Sequence, residues 1–309
     1  MKKIAVVMGG PSSEAEVSRN TGAAVLAALK ANGLDAVGIE FDPVNFTEQI
    51  KASGADVVFN AVHGSYGEDG RIQASLELLG IPYTGSGVLA SAVTMDKNAA
   101  KRLMLGEGIP TPRARMYRSI DRSRDLAGEI AEEFSMPVVV KAASQGSSIG
   151  VVIVESTEGI DAAVEEAFRY GDEILVEEFI SGKEITVAVM GDEKEQKLLP
   201  IVEITTTSGR YDYESKYTQG ASQHIIPARL TEEEGRKAEK AALDCFNACG
   251  CSGVARFDMM VSEEGNPYII DINTVPGMTA TSLVPDAAKA VGISFPDLCE
   301  KLVNMALAK

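Results

Sequence analysis

The chain has 309 residues, of which 45% are hydrophobic and 24% charged, and its formal net charge is −16. That length accommodates two or three domains with a full core, and the composition is globular rather than disordered. The acid excess argues against nucleic acid or an anionic membrane surface as main partner, and no apolar run reaches the ~18–20 residues that span a bilayer. The opening segment, Met1–Gly10, has too short an apolar stretch for a secretory leader and reads as a first strand, so the cytoplasm is the default location. Four cysteines are present, and Cys245 and Cys249 fall i, i+4 on a probable helix. With His63 and His224 as the only histidines, ordinary thiols are expected rather than a zinc site or disulfides.

In chain order, residues 1–94 alternate strand and helix. Ile4–Met8 is an apolar strand, and Glu14–Lys30 has helical periodicity with Ser13-Glu14-Ala15-Glu16 as a candidate capping box. Ala36–Glu40 and Val57–Asn60 are further strands, Gly70–Leu79 is a helix, and Ile81–Thr84 is a short strand. This βαβ order predicts a parallel sheet whose ligands bind beyond the carboxyl ends of the strands, where Gly9–Glu14 and His63–Gly70 fall. Residues 95–182 follow with helices over Met95–Gly106, Asp125–Phe134 and Ile160–Tyr170. Their strands are Pro137–Lys141, Val151–Glu155 and Ile174–Ile180, the first two enclosing a glycine-bearing loop at 142–150. Residues 183–309 hold a strand at Glu184–Met190, a polar stretch at 205–220 with three tyrosines, and helices Glu232–Ala248 and Pro296–Leu307.

The same last segment carries two strands, Val254–Val261 and Pro267–Asn273, around the turn Ser262–Asn266. Folding about Glu264-Gly265 sets Asp258 opposite Asp271 and Arg256 opposite Asn273, with all four side chains on one face. Opposed carboxylates repel. Two acids and an amide on an apolar ribbon therefore ask for a hard cation such as Mg²⁺ with phosphate oxygens. A solvated hairpin face is the competing reading.

The loop at 142–150 is not a P-loop, because it lacks G-x-x-x-x-G-K-[ST] and joins strand to strand, yet its amides can wrap a phosphate as a flap. Lys141 at a strand end and Lys97 at a helix start can reach phosphates or can be solvated. Glu177 to Ile180 can read an adenine edge and Glu184 can accept ribose hydroxyls, although each acid alone reads equally as a surface carboxylate. The Pro276-Gly277 turn exposes amides beside Asp271 and Asn273, and with Arg256 it can form a hole for an oxyanion. Ser282 suits a carboxylate or a helix cap. Glu14 suits a substrate ammonium or is merely a favourable acid in a first helical turn. His63 can orient a carboxylate or brace its loop. The stretch at 205–220 suits a lid over a polar ligand or a surface loop.

Seven segments in order resemble the D-alanine–D-alanine ligase family of the ATP-grasp superfamily, and the resemblance runs nearly end to end. They are Gly9–Ser18, His63-Gly64 with Gly67–Gly70, Met95-Asp96-Lys97, Gly146–Gly150, Tyr211–Tyr217, Arg256-Phe257-Asp258 and Asn273–Thr279. The resemblance implies a mixed α/β and α+β fold with three domains, at 1–94 (the D-alanine side), 95–182 and 183–309, and ATP held between the last two. It assigns Lys97 and Lys141 to ATP phosphates, Glu177 and Ile180 to adenine, and Glu184 to ribose. Two Mg²⁺ (or Mn²⁺) ions fall to Asp258, Asp271 and Asn273, and the tetrahedral intermediate to Arg256 and the Gly277 amide. Glu14, linked through Ser147 and Tyr217, would hold the first D-alanine near His63, and Lys216 and Ser282 the carboxylate of the second.

The implied activity is ATP-dependent formation of D-alanyl-D-alanine through an acyl phosphate, for peptidoglycan precursors, by a cytoplasmic homodimer with no nucleic-acid or membrane partner. One departure is Asp271, where many members carry Glu; the side chain is one methylene shorter. Competing readings are an ATP-grasp carboxylate–amine or D-alanine–D-hydroxy acid ligase with another acceptor, and a nucleotide-binding regulator without catalysis. A dinucleotide-binding dehydrogenase fails on Gly9-Gly10-Pro11, which is not G-x-G-x-x-G.

Overall fold

The first apolar run forms β1 (Lys3–Met8), and α1 (Ala15–Ala31) returns the chain to lay β2 (Asp35–Glu40) parallel beside it. The helix α2 (Phe46–Ser53) then carries the chain to β3 (Val57–Asn60) on the other edge, giving the parallel order β2-β1-β3. This is a computed structural model, in which residues 2–146, 150–206, 222–279 and 282–309 are described. The expected strand at Ile81–Thr84 contributes only a single bridge, from Tyr83 to Val58. Three short helices, α2 and those over Val88–Met95 and Leu283–Ala290, were not anticipated, since eight-residue segments carry little periodicity.

The capping box expected at the start of α1 does not form. Glu14 is the N-cap residue and makes no side-chain capping bond. The Ser12 hydroxyl instead accepts from the Glu14 amide at 3.2 Å and donates to the His63 carbonyl at 2.9 Å. The Glu14 carboxylate lies against two glycine backbones: a Cβ on Gly64 or Gly146 would come within 2.6 or 2.5 Å of its Oε2.

After α3 (Arg71–Leu79) comes α4 (Val88–Met95), and the helix expected over Met95–Gly106 begins two residues later, as α5 (Lys97–Gly106). Asp96 makes the break. Its carboxylate accepts from the amides of Asn98 and Ala99 at 2.9 and 3.0 Å, an N-cap that makes Lys97 the first helical residue.

A second sheet contains β4 (Ala114–Arg118), β5 (Val138–Ala142), β6 (Val151–Val154) and β7 (Glu173–Glu178) in the antiparallel order β4-β7-β5-β6. The helices α6 (Leu126–Glu133) and α7 (Ile160–Phe168) bury Ile130, Ile160 and Val164 with Val138, Val140 and Val176 of that sheet.

The third sheet has six strands: β8 (Gly182–Gly191), β9 (Gln196–Leu198), β10 (Val202–Thr206), β11 (Ser222–Ile225), β12 (Gly253–Ser262) and β13 (Pro267–Asn273). Their order is β11-β10-β8-β12-β13, with β9 paired to β8. On one face α8 (Glu232–Ala248) packs Phe246 against Phe257, their ring centroids 6.5 Å apart. Cys245, Cys249, Cys251 and Cys299 are free and buried. The last helices, α9 (Leu283–Ala290) and α10 (Phe295–Leu307), share one core with Ile4, Val6, Val57 and Phe59 of the first sheet and Met190 and Val254 of the third. That shared core fixes the strand ends of the first sheet against the hairpin of the third. No described helix is long and apolar enough to cross a membrane.

Gly67 is required by a close approach, since a Cβ there would lie 1.8 Å from the Val62 carbonyl oxygen. Its own carbonyl accepts from the side-chain amides of Asn60 (Nδ2) and Gln73 (Nε2) at 2.8 and 2.7 Å. Gly67→Ala is expected to cost about 1–3 kcal/mol in urea unfolding, because the loop must shift to admit one methyl group.

Candidate active site

The hairpin β12–β13 sets Asp258 opposite Asp271 and Arg256 opposite Asn273, as alternation predicts. Beyond this pair the register shifts, because Met259 faces Ile269 and Ile270 is left as an extra residue. The bulge frees the Ile270 carbonyl from the ladder. Lys141 Nζ donates to it at 3.2 Å.

The opposed carboxylates carry separate cationic partners. Arg256 donates to both Asp258 oxygens at 2.8 Å, and the Thr186 hydroxyl donates to Oδ1 at 2.6 Å. Thr186 stands opposite Asp258 on β8. Asp271 pairs with Lys97 Nζ at 3.2 Å, and Lys97 also donates to the Gln145 carbonyl at 2.8 Å. The Asp271 side chain is the more open of the two, 30% exposed against 8% for Asp258. Asn273 lies beside them, its Oδ1 accepting from the Val275 amide at 3.1 Å.

Across from the hairpin are the strand ends of the first sheet. His63 is buried between Thr21 and Glu68, with Nε2 2.9 Å from the Thr21 hydroxyl and Nδ1 3.3 Å from Glu68 Oε1. A cavity of about 480 Å³ separates the two surfaces, and its walls include Glu14, His63, Glu68, Lys97, Arg256 and Asp271. Asn273, Gly277 and Ser282 complete the hairpin side. Ser282 occupies the N-cap position of α9 but makes no capping bond; its Oγ accepts from the Thr279 amide at 3.0 Å.

Lys141 and Glu177 are neither a solvated tip nor a surface carboxylate; they are 5% and 2% exposed. Lys141 Nζ lies 2.5 Å from Glu177 Oε2, and Lys101 Nζ lies 2.8 Å from Oε1. Burial alone would raise the Glu177 carboxyl, but the charges of Lys141 and Lys101 outweigh it and hold the group below the usual carboxylate range. Burial presses the Lys101 ammonium below its own usual range, against the pull of Glu177.

Ile180 and Glu184 are half-buried beyond the end of β7 and on β8, away from the cavity walls, and Asp258 sits behind Arg256. Ser147, Lys216 and Tyr217 lie outside the described residues, as does the expected lid from residue 207 onward; Thr205 and Thr206 are the end of β10.

Two family profiles match the chain, one described as D-Ala–D-Ala ligase C-terminus over residues 103–304 and one as D-Ala–D-Ala ligase N-terminus over residues 40–86. A D-alanine–D-alanine ligase of Pelotomaculum thermopropionicum is 48% identical over 309 residues, covering 99% of this chain and 96% of that protein. The chain belongs to the D-alanine–D-alanine ligase family.

Solved structures of that family agree. The Bacillus anthracis D-alanine–D-alanine ligase complexed with ATP superposes with a TM-score of 0.86 at 35% identity, covering 100% of this chain and 98% of that one. The VanG D-Ala:D-Ser ligase of Enterococcus faecalis gives 0.83 at 32% identity, with 99% of each chain covered. The fold is thus that of ATP-grasp ligases.

Sequence reasoning passed over Glu68, Lys101 and Thr186. Glu68 stood within a quoted motif, Lys101 follows Lys97 at i, i+4 on one helix face, and Thr186 is visible only once β8 is paired with β12. Among the described residues no group of three or more His, Cys, Asp or Glu gathers as a metal-binding set. Asp258, Asp271 and Asn273 are two carboxylates and an amide, an oxygen-only donor set that fits a hard cation.

Glu177→Gln leaves two buried ammonium groups facing a neutral amide, with an expected stability loss of about 3–5 kcal/mol in urea melts. Lys101→Met added to Glu177→Gln is expected to recover part of that loss, since one unpaired charge leaves with it.

Proposed function

We propose that this chain joins two D-alanine molecules to D-alanyl-D-alanine at the expense of ATP, supplying the dipeptide of peptidoglycan precursors. The observation that carries the reading is the single cavity in which Glu14 and His63 face Lys97, Arg256 and Asp271, in a chain of the ligase family. In this reading the first D-alanine places its ammonium on Glu14, braced through Ser147 and Tyr217, with its carboxylate toward His63 and the hairpin. The carboxylate oxygen attacks the γ-phosphorus of ATP, the bond to the β-phosphate oxygen breaks, and ADP leaves with that electron pair. Lys97 and Lys141 offset phosphate charge through this in-line transfer.

The amine of the second D-alanine, its carboxylate on Lys216 and Ser282, then attacks the acyl carbon. Arg256 and the Gly277 amide stabilise the oxyanion, and inorganic phosphate departs as the carbonyl re-forms. Glu177 and Ile180 take the adenine and Glu184 the ribose. Asp258, Asp271 and Asn273 would hold two Mg²⁺ (or Mn²⁺) ions, which when bound neutralise charge on the phosphates. Acyl phosphates hydrolyse, so the stretch at 205–220 is assigned to exclude water as a lid.

The proposal places domain boundaries at 94/95 and 182/183, with the first domain on the D-alanine side and ATP between the other two. It also includes a cytoplasmic homodimer, following the family resemblance. A second reading, ligation to another acceptor, draws on the full-length likeness to the D-Ala:D-Ser ligase.

Phosphate release from ATP with Mg²⁺ separates these readings when D-alanine alone is compared with D-alanine plus D-serine, D-lactate or L-alanine. Dipeptide formation from D-alanine alone, unimproved by the other acceptors, is the expected result; release that needs no D-alanine would overturn the reading. Asp271→Asn is expected to lower kcat about a hundredfold or more at saturating ATP, because one anionic oxygen facing the phosphates is lost.

A further inference from the structure

Lys101 has no role in the scheme above, yet it is among the most enclosed charged groups in the molecule, 6% exposed. Its Nζ donates to the Thr111 hydroxyl and the Pro112 carbonyl, both at 2.7 Å, and pairs with Glu177 Oε1 at 2.8 Å. The Thr111 hydroxyl hydrogen is committed to the Ile269 carbonyl at 2.9 Å, so toward Lys101 this oxygen acts as acceptor. Three acceptors around one nitrogen require three N–H groups, which only the ammonium form has.

Lys141 occupies the other carboxylate oxygen, 2.5 Å from Glu177 Oε2, and donates also to the bulged Ile270 carbonyl. Two cations thus share one buried anion. Without Lys101, the Lys141–Glu177 pair would be neutral. With it, the cluster carries one surplus positive charge in a poorly solvated place, where charge is felt strongly. A narrow cleft lined by Lys97, Lys101, Glu177 and Asp271 joins the cluster to the acidic hairpin.

We infer that Lys101 is a positioning residue for the nucleotide: it neutralises Glu177, so that Lys141 keeps an uncompensated charge for a phosphate oxygen. The inference rests on the reading of Lys141 as a phosphate ligand. It separates two tasks within one cluster. Lys101, tied to the 111–112 linker, is the fixed counter-ion; Lys141, at the end of β5, is the cation that the triphosphate meets.

Steady-state kinetics on the full chain test this. Lys101→Met is expected to raise the KM for ATP about tenfold or more, the worth of one charge-assisted contact, while kcat and the KM for D-alanine stay within about threefold. Lys101→Gln serves if the apolar variant does not fold. Thr111→Val removes a partner of Lys101 but none of its charge, so the KM for ATP is expected to stay within about twofold even as stability falls. An equal rise in the two variants would make Lys101 a mere scaffold and overturn the inference, as would a fall in kcat with the KM for ATP unchanged. Lys141→Met separates the two levels. If it leaves the KM for ATP unaltered, the phosphate reading of Lys141 is wrong. If it raises that KM while Lys101→Met does not, only the counter-ion role is wrong.

Discussion

Two carboxylates stand at opposed positions of one antiparallel ribbon, and the surrounding structure is arranged to tolerate them. Side-chain alternation forces Asp258 and Asp271 onto one face, where like charges a few ångströms apart repel. Each is therefore met by a cation from a different direction. Arg256 reaches Asp258 along the same strand, and Lys97 reaches Asp271 from the start of α5. The Asp96 cap matters for this reason, because starting the helix at Lys97 places that ammonium at the hairpin. Buried ion pairs of this kind contribute little net stability. Their value here is geometric: basic and acidic groups are held together on one wall of a cavity.

The bulge at Ile270 extends the same arrangement to the second sheet. A regular ladder would have turned the Ile270 carbonyl toward its neighbouring strand; as an extra residue it accepts from Lys141 instead. The outer edge of β13 is also covered. The Ile269 amide donates to the Pro110 carbonyl and its carbonyl accepts from Thr111, so the linker after α5 closes an edge that would otherwise be open. Lys101, Lys141 and Glu177 lie directly behind this edge, which places the buried charge cluster and the acidic hairpin side by side.

Much of this was legible in the order of residues. Period-two alternation around a polar turn was sufficient to place Asp258 against Asp271 and Arg256 against Asn273, and the apolar runs at the start announced a parallel sheet. Less was legible where the signal is not local. The segments β4 and α4 are short and carry weak periodicity, and the break at Asp96 required weighing an N-cap against a continuous helical pattern. Lys141 and Glu177 read as a solvated lysine or a phosphate ligand, and as a surface acid or an adenine contact. Nothing near them in sequence reports that both are enclosed or that a third charged residue joins them.

The ordered motifs were enough to suggest the family resemblance, and together with alternation and turn composition they picked about half of the polar residues that now line one cavity. Those features are local, and local sterics and hydrogen bonding enforce them wherever the chain folds. The pairing of Lys101 with Glu177, the seat of Thr186 under Asp258 and the closeness of Glu14 to Gly146 come from elsewhere. The first exists because α5 packs its lysine face against the second sheet, the second because β8 pairs with β12, and the third because the loop after β5 meets the start of α1. Burial of surface from distant segments sets such distances, and no short stretch of residues encodes them.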